Sequence, residues 1–137
     1  MAGEIHEFEL GLDNYVKKLG VSADVAVRNF VMRVFGNIIR LTPVDTGWAW
    51  NNWYPSINQI VDVKPGPNPT KESRTFPAAD PGPVVAKGKA GDIFWLQNGV
   101  PYILALEHGH SMQAPAGMVA VSFANAEAFA AEYVKDK

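Results

Sequence analysis

The chain has 137 residues, one domain's length, and its 47% hydrophobic and 19% charged content can bury a core of its own and excludes wholesale disorder. Twelve Lys and Arg against fourteen Asp and Glu leave a net charge of −2, which speaks against a dedicated nucleic-acid binder, because phosphate contacts need a surplus of cations. The absence of cysteine removes disulfide scaffolds, thiolate metal sites and cysteine nucleophiles together.

The opening residues, Met1 to Glu7, are acidic and lack the basic-then-apolar shape of a secretory leader. No apolar run approaches the ~20 residues of a membrane span, so the expectation is a soluble product of the cytoplasm with no membrane partner. Ile5, Phe8, Leu12, Tyr15 and Leu19 recur at helical steps, and Gly11 weakens that pattern, which leaves Leu12 to Leu19 as the firm part. Lys17 and Lys18 then suit the negative end of the helix dipole, and Gly20 suits its termination.

A second helix starts at the N-cap Ser22, with Asp24 in its first turn. Val27, Phe30, Val31, Val34, Phe35, Ile38 and Leu41 form its apolar face, and Pro43 stops it at Thr42. At ~1.5 Å per residue it is about 30 Å long, the width of a small domain, which fits it to cover a sheet.

Two strands are expected. One carries Ile57, Val61 and Val63 in alternation after Pro55; the other is Ile93 to Gln97, ending at the turn-forming pair Asn98-Gly99. Tyr102 to Glu107 reads as one or two helical turns after Pro101. An alanine-rich helix from about Gly117 to Val134 closes the chain, with Met118, Val119, Phe123, Ala126, Phe129 and Val134 as its apolar face and Pro115 just ahead of it. The fold class that follows is a single α+β domain over 1–137, a small sheet packed by the long second helix and the C-terminal helix.

Residues 64–91 hold six of the ten prolines (Pro65, Pro67, Pro69, Pro77, Pro81 and Pro83) and four glycines. This composition predicts a long irregular loop, and doubled back as an arm it reaches roughly 45 Å at ~3.3 Å per residue. Lys71, Arg74, Lys87 and Lys89 make it mildly basic, and Lys71, Arg74, Phe76 and Lys87 are candidate contacts to a neighbouring subunit.

Asp45-Thr46-Gly47 matches the aspartic-protease triplet, and a retroviral-type enzyme completes its carboxylate pair by dimerising. That family leads into the aspartate on an apolar strand, whereas here a helix and a proline precede it, so a turn with Gly47 supplying free φ is favoured. Glu107-His108-Gly109-His110 has ligand-type residues but no spacing that puts two histidines on one helical face. A triad of Ser111, His110 and Asp45 lacks the nucleophile elbow, and no phosphate-cradling glycine loop or other cofactor motif is present, so no cofactor is expected. Trp48, Trp50 and Trp53, with Tyr54, suit a core under the long helix first and a subunit contact second. Stacking on single-stranded nucleic acid is disfavoured because Trp48 to Val63 contains no Lys or Arg.

Taken in order, a long helix running into Leu41-Thr42-Pro43-Val44-Asp45-Thr46-Gly47 and then Trp53 resembles the helix exit of the tail-completion (neck) proteins of long-tailed bacteriophages. Asn98-Gly99-Val100-Pro101-Tyr102, then Leu106-Glu107-His108-Gly109-His110-Ser111 and Gln113 to Val119, are similar to that family's strand, Pro-Tyr and Glu-x-Gly block before a closing helix. The likeness covers about residues 10–135 apart from the proline-rich stretch, and the chain departs from it at Trp48-Ala49-Trp50, where the family has a leucine and a basic residue.

The resemblance implies a non-enzymatic virion subunit, a homo-oligomer in a ring of six that completes the head-proximal end of the tail and joins adjacent neck and tail proteins. DNA only passes through the channel. It also implies that Asp45, Thr46, Gly47, Tyr102, Glu107, Gly109, Pro115 and Gly117 are fold-determining turns and contacts. The alternatives left open are the dimeric aspartic protease using Asp45 and a small nucleic-acid-associated module.

Overall fold

The computed structural model describes residues 2–44, 47–67, 78–109 and 116–135, with side chains from residue 9 to residue 133. Helix α1 (Ala2–Leu19) turns at Gly20 into α2 (Ala23–Leu41), followed by the single turn α3 (Trp48–Asn51) and strand β1 (Trp53–Ile57). A short α4 (Gly82–Val85), strand β2 (Phe94–Asn98), α5 (Ile103–Glu107) and α6 (Val119–Lys135) complete the order. The strands pair antiparallel from Trp53↔Asn98 to Ile57↔Phe94, and the helices pack on this two-stranded sheet, an α+β arrangement.

The second helix begins where its sequence says. Ser22 is extended (φ −74°, ψ 162°), and its hydroxyl accepts the Val25 N–H at 3.2 Å. At the other end Thr42 turns to ψ 126° ahead of Pro43. Phe30, Val34, Phe35 and Ile38 are buried as expected, and Ala26 and Ile39 join them.

Helix α1 runs through Gly11 instead of starting after it. The reason is tertiary: a Cβ at Gly11 would overlap the Ala130 backbone, so the glycine is where α1 lies closest to α6. Around that crossing Tyr15, Phe30, Phe129 and Tyr133 form an aromatic cluster, with Tyr15 5.3 Å from Phe30 and 5.0 Å from Tyr133 between ring centroids. Leu19 and Phe123, assigned to apolar faces from their spacing, are instead about half exposed.

Strand β1 is displaced from its expected place. The alternation of Ile57, Val61 and Val63 does not make a strand, and pairing occupies Trp53–Ile57 with Pro55 inside it. Every strand of a two-stranded sheet is an edge, where proline is tolerated. The alternation was hidden because the second buried residue of β1 is Ser56, whose hydroxyl donates to the Gln59 carbonyl at 2.7 Å. Val61 is held outside the ladder by the Gln97 side-chain amide, which bonds its N–H at 3.0 Å and its carbonyl at 2.9 Å.

The stretch 64–91 is not one extended arm. Within it Gly82–Val85 is helical, Val85 is buried in the main core beside Ile38, Trp53 and Met118, and Arg28 donates to the Gly88 carbonyl at 2.8 Å. Asp24 accepts the Ala90 N–H at 2.9 Å. The proline-rich composition concealed a second limb that packs on α2 and β1, and Lys87 is an exposed residue at the end of that packed limb. Lys71, Arg74 and Phe76 lie outside the described residues.

Candidate functional site

The helix-exit block of the sequence leads to α3, a turn of four residues too short to satisfy its own carbonyls. Gly47 opens it at φ 85°, the left-handed conformation that the turn reading required, while Asp45 and Thr46 lie outside the described residues. Three donors outside the turn then complete α3. Asn52 Nδ2 bonds the Trp48 carbonyl at 2.7 Å, Asn98 Nδ2 bonds the Ala49 carbonyl at 2.9 Å, and the Ala79 N–H bonds the Trp50 carbonyl at 3.0 Å. One helical turn thereby joins its own exit, the end of β2 and the returning proline-rich limb.

The tryptophans of this block belong mainly to the interior. Trp53 is buried in the main core, and its Nε1–H donates to the Thr42 hydroxyl at 2.9 Å, which in turn donates to the Ile38 carbonyl at 2.7 Å. Trp48 is buried with Ala49 and Val100, and its Nε1–H donates to the Gly66 carbonyl at 2.9 Å. Trp50 is half-buried against the main core, and among the described residues its buried Nε1 has no partner. The core reading of Trp48 and Trp53 is the one the structure shows. Their rings have little surface to give a neighbouring subunit or a nucleic-acid base.

The second block converges on the same place. Asn98 accepts the Val100 N–H at 2.9 Å through Oδ1 while its Nδ2 holds α3. Gly99 is needed there for a close approach and not for a positive φ, since a Cβ would stand 2.7 Å from the Val63 carbonyl oxygen. The Tyr102 ring lies 5.8 Å from the Trp48 ring and is 41% exposed. Ile103 and Leu106 of α5 pack on Trp48 and Val100.

Glu107 at the end of α5 holds the start of α6. Its Oε1 accepts the N–H of Met118 at 2.9 Å and of Val119 at 2.7 Å, and its Oε2 accepts that of Ala120 at 3.0 Å. Three of the orphan donors of α6 are thus satisfied by one carboxylate at the positive end of the dipole. Partial burial pushes the Glu107 carboxyl upward, but the three backbone donors, helped by His108, outweigh it and hold it below the ordinary glutamate range. Gly117 (φ 82°) leaves room for this arrangement, because a Cβ would overlap the Glu107 carbonyl oxygen. Gly109 also has a positive φ, 84°, where the chain leaves α5.

With both oxygens engaged by backbone amides, Glu107 acts as a clamp on α6. Among the described residues no group of three His, Asp or Glu side chains is placed to hold a metal ion. Pro115, His110 and Ser111 lie outside the described residues. The sequence reading missed Asn98 and Thr42 as organising side chains. The Asn-Gly pair pointed to a turn, and nothing in a sequence marks an amide as reaching a helix 49 residues away.

At the base of the β1–β2 connection, Asn58 (φ 62°) receives the Ile93 N–H at 2.8 Å and donates to Asp92 at 2.9 Å. That amide and then the Lys89 N–H draw the Asp92 carboxyl below its ordinary value; burial opposes them, and the Lys89 charge adds a lesser pull in the same direction. Among the described residues no helix is long and apolar enough to cross a membrane. Compared with known proteins, the chain matches no family model, no curated protein and no solved structure.

Proposed function

We propose that this chain is a structural virion protein, one subunit of a ring in the neck of a long-tailed bacteriophage that completes the head-proximal end of the tail and joins it to the head. The observation that carries the reading is convergence. The two sequence blocks that resemble the tail-completion family, some fifty residues apart, meet at α3, where Asn98 caps the Ala49 carbonyl and Tyr102 lies against Trp48. The motif residues that are described, Gly47, Tyr102, Glu107, Gly109 and Gly117, serve as turns, packing and a helix clamp. Such roles suit a part that works by shape.

In this reading residues 68–77, with Lys71, Arg74 and Phe76, reach an adjacent subunit or ring, DNA passes without being gripped, and the near-neutral charge keeps it so. Small contacts repeated around a closed ring add up to a stable assembly. Native mass spectrometry and negative-stain imaging of the purified chain test it: closed rings or short stacks are expected. A strict dimer whose peptide cleavage is abolished by Asp45→Asn would overturn the reading in favour of the protease.

A further inference from the structure

Among the described residues, two exposed faces of opposite charge on different helices have no ion-pair partner. On α2, Asn29, Arg33, Gly36, Asn37 and Arg40 recur at steps of three and four, the spacing of one helical face, and with Tyr15 they line an open groove of about 560 Å³. Gly36 has open space where a Cβ would stand, which deepens the groove between the two arginines. The Arg33 guanidinium lies 3.7 Å over the Phe129 ring, a contact that orients the cation without neutralising it. Arg40 donates to Asn37 Oδ1 at 3.3 Å. Both arginines are exposed, and among the described residues neither has a carboxylate partner. Seven residues along the helix separate them by about 10 Å.

The opposite charge is on α1. Glu9 and Asp13 are exposed, four residues apart on one face, and among the described residues neither has a cationic partner. Lys17 follows Asp13 by the same step of four and, with Lys18, lies in the last turn, so the acidic part of this face is Glu9 and Asp13.

We infer that the α2 groove receives the Glu9–Asp13 face of a second copy of this chain, the guanidinium groups of Arg33 and Arg40 bonding its carboxylates. Guanidinium matches carboxylate geometry in two parallel hydrogen bonds, and the amides of Asn29 and Asn37 add neutral donors and acceptors beside them. Two arginines on a chain of net charge −2 give too few phosphate contacts for a nucleic-acid site, so an acidic protein face is the better fit. The groove and the acidic face are different surfaces, so each copy uses one toward each neighbour. A contact of that kind closes into a ring when the rotation permits. Ring closure rests on the neck reading above; the contact itself does not. Exposed ion pairs are individually weak and salt-screened, so the contact depends on repetition and weakens in high salt.

Charge reversal in the full chain tests the inference. Arg33→Glu with Arg40→Glu, and separately Glu9→Lys with Asp13→Lys, should each lower self-association roughly tenfold or more by native mass spectrometry and light scattering. Mixing the two variants should restore assemblies in which they alternate, because each acidic groove then meets a basic α1 face. Circular dichroism melts confirm that both remain folded, and the restoration on mixing itself requires folded partners. Wild-type assembly unaffected by either reversal would overturn the inference and leave the ring reading standing. A wild-type chain that stays solitary at high concentration would overturn both. An arginine-dependent, salt-sensitive complex with a DNA duplex and no self-association would replace the second copy with nucleic acid.

Discussion

Glu107 stabilises the fold only as a carboxylate, because a protonated acid accepts amide hydrogens weakly and carries no charge toward the start of α6. Its folded pKa is depressed, so its contribution is complete above the ordinary glutamate value of about 4.3 and is lost as pH falls through the lower folded value. Glu107→Gln should cost about 1–2 kcal/mol near neutrality, roughly 3–6 °C in melting temperature, and should flatten the acid limb of a plot of stability against pH. An unchanged acid limb would remove Glu107 from that role. Thr42 is a second such residue, 2% exposed, receiving the Trp53 indole N–H and donating to the Ile38 carbonyl. Thr42→Val keeps the shape and strands the indole, so about 1–3 kcal/mol should be lost in urea unfolding. Combined with Trp53→Phe, the loss should be smaller than the sum of the two single losses, since the stranded donor goes with the indole.

Elements are fixed here by what they meet as much as by their own composition. Gly11 costs α1 roughly 1 kcal/mol of helix propensity relative to alanine, yet it is what lets α1 lie against Ala130 of α6. Gly11→Leu should raise intrinsic helix propensity and still destabilise the protein, because the added side chain forces the two helices apart. Hydrogen exchange should then show faster opening confined to α1 and the C-terminal half of α6. A variant with intact protection there would show that the crossing tolerates bulk. Helix α3 makes the complementary case, a turn of four residues whose carbonyls are completed by the adjoining Asn52 and by Ala79 and Asn98 from farther along the chain.

At the scale of the whole molecule, the described parts of the proline-rich connection are tied to the fold. Its returning limb supplies Val85 to the core, whereas residues 68–77 are flanked by two anchors on the same helix, Gly66 to Trp48 and Ala79 to Trp50. Replacing 68–77 by a short glycine-serine link should therefore leave the melting temperature within a few degrees and reduce assembly. Extending the deletion through Val85 should lower stability by about 2–4 kcal/mol, the usual loss for a large buried aliphatic side chain and its surroundings. Both are read by thermal melts alongside native mass spectrometry. Normal assembly by the shorter deletion would free this segment of any role between subunits.

Local rules decided what depends on neighbours in sequence. Ser22 and Pro43 bound α2, helical spacing chose Phe30, Val34, Phe35 and Ile38 for the core, and Gly47 needed a positive φ. They gave the α+β class and the closing helix for the same reason, since hydrophobic period and capping chemistry are written within a few residues. Tertiary structure alone decided the rest: that Gly11 marks a crossing, that the buried members of β1 are Trp53 and Ser56, that a proline-rich limb carries Val85 into the core, and that Glu107 clamps a helix eleven residues on. Each of these depends on a partner distant along the chain, or on a polar side chain whose burial is compensated by a bond no pattern of hydropathy records.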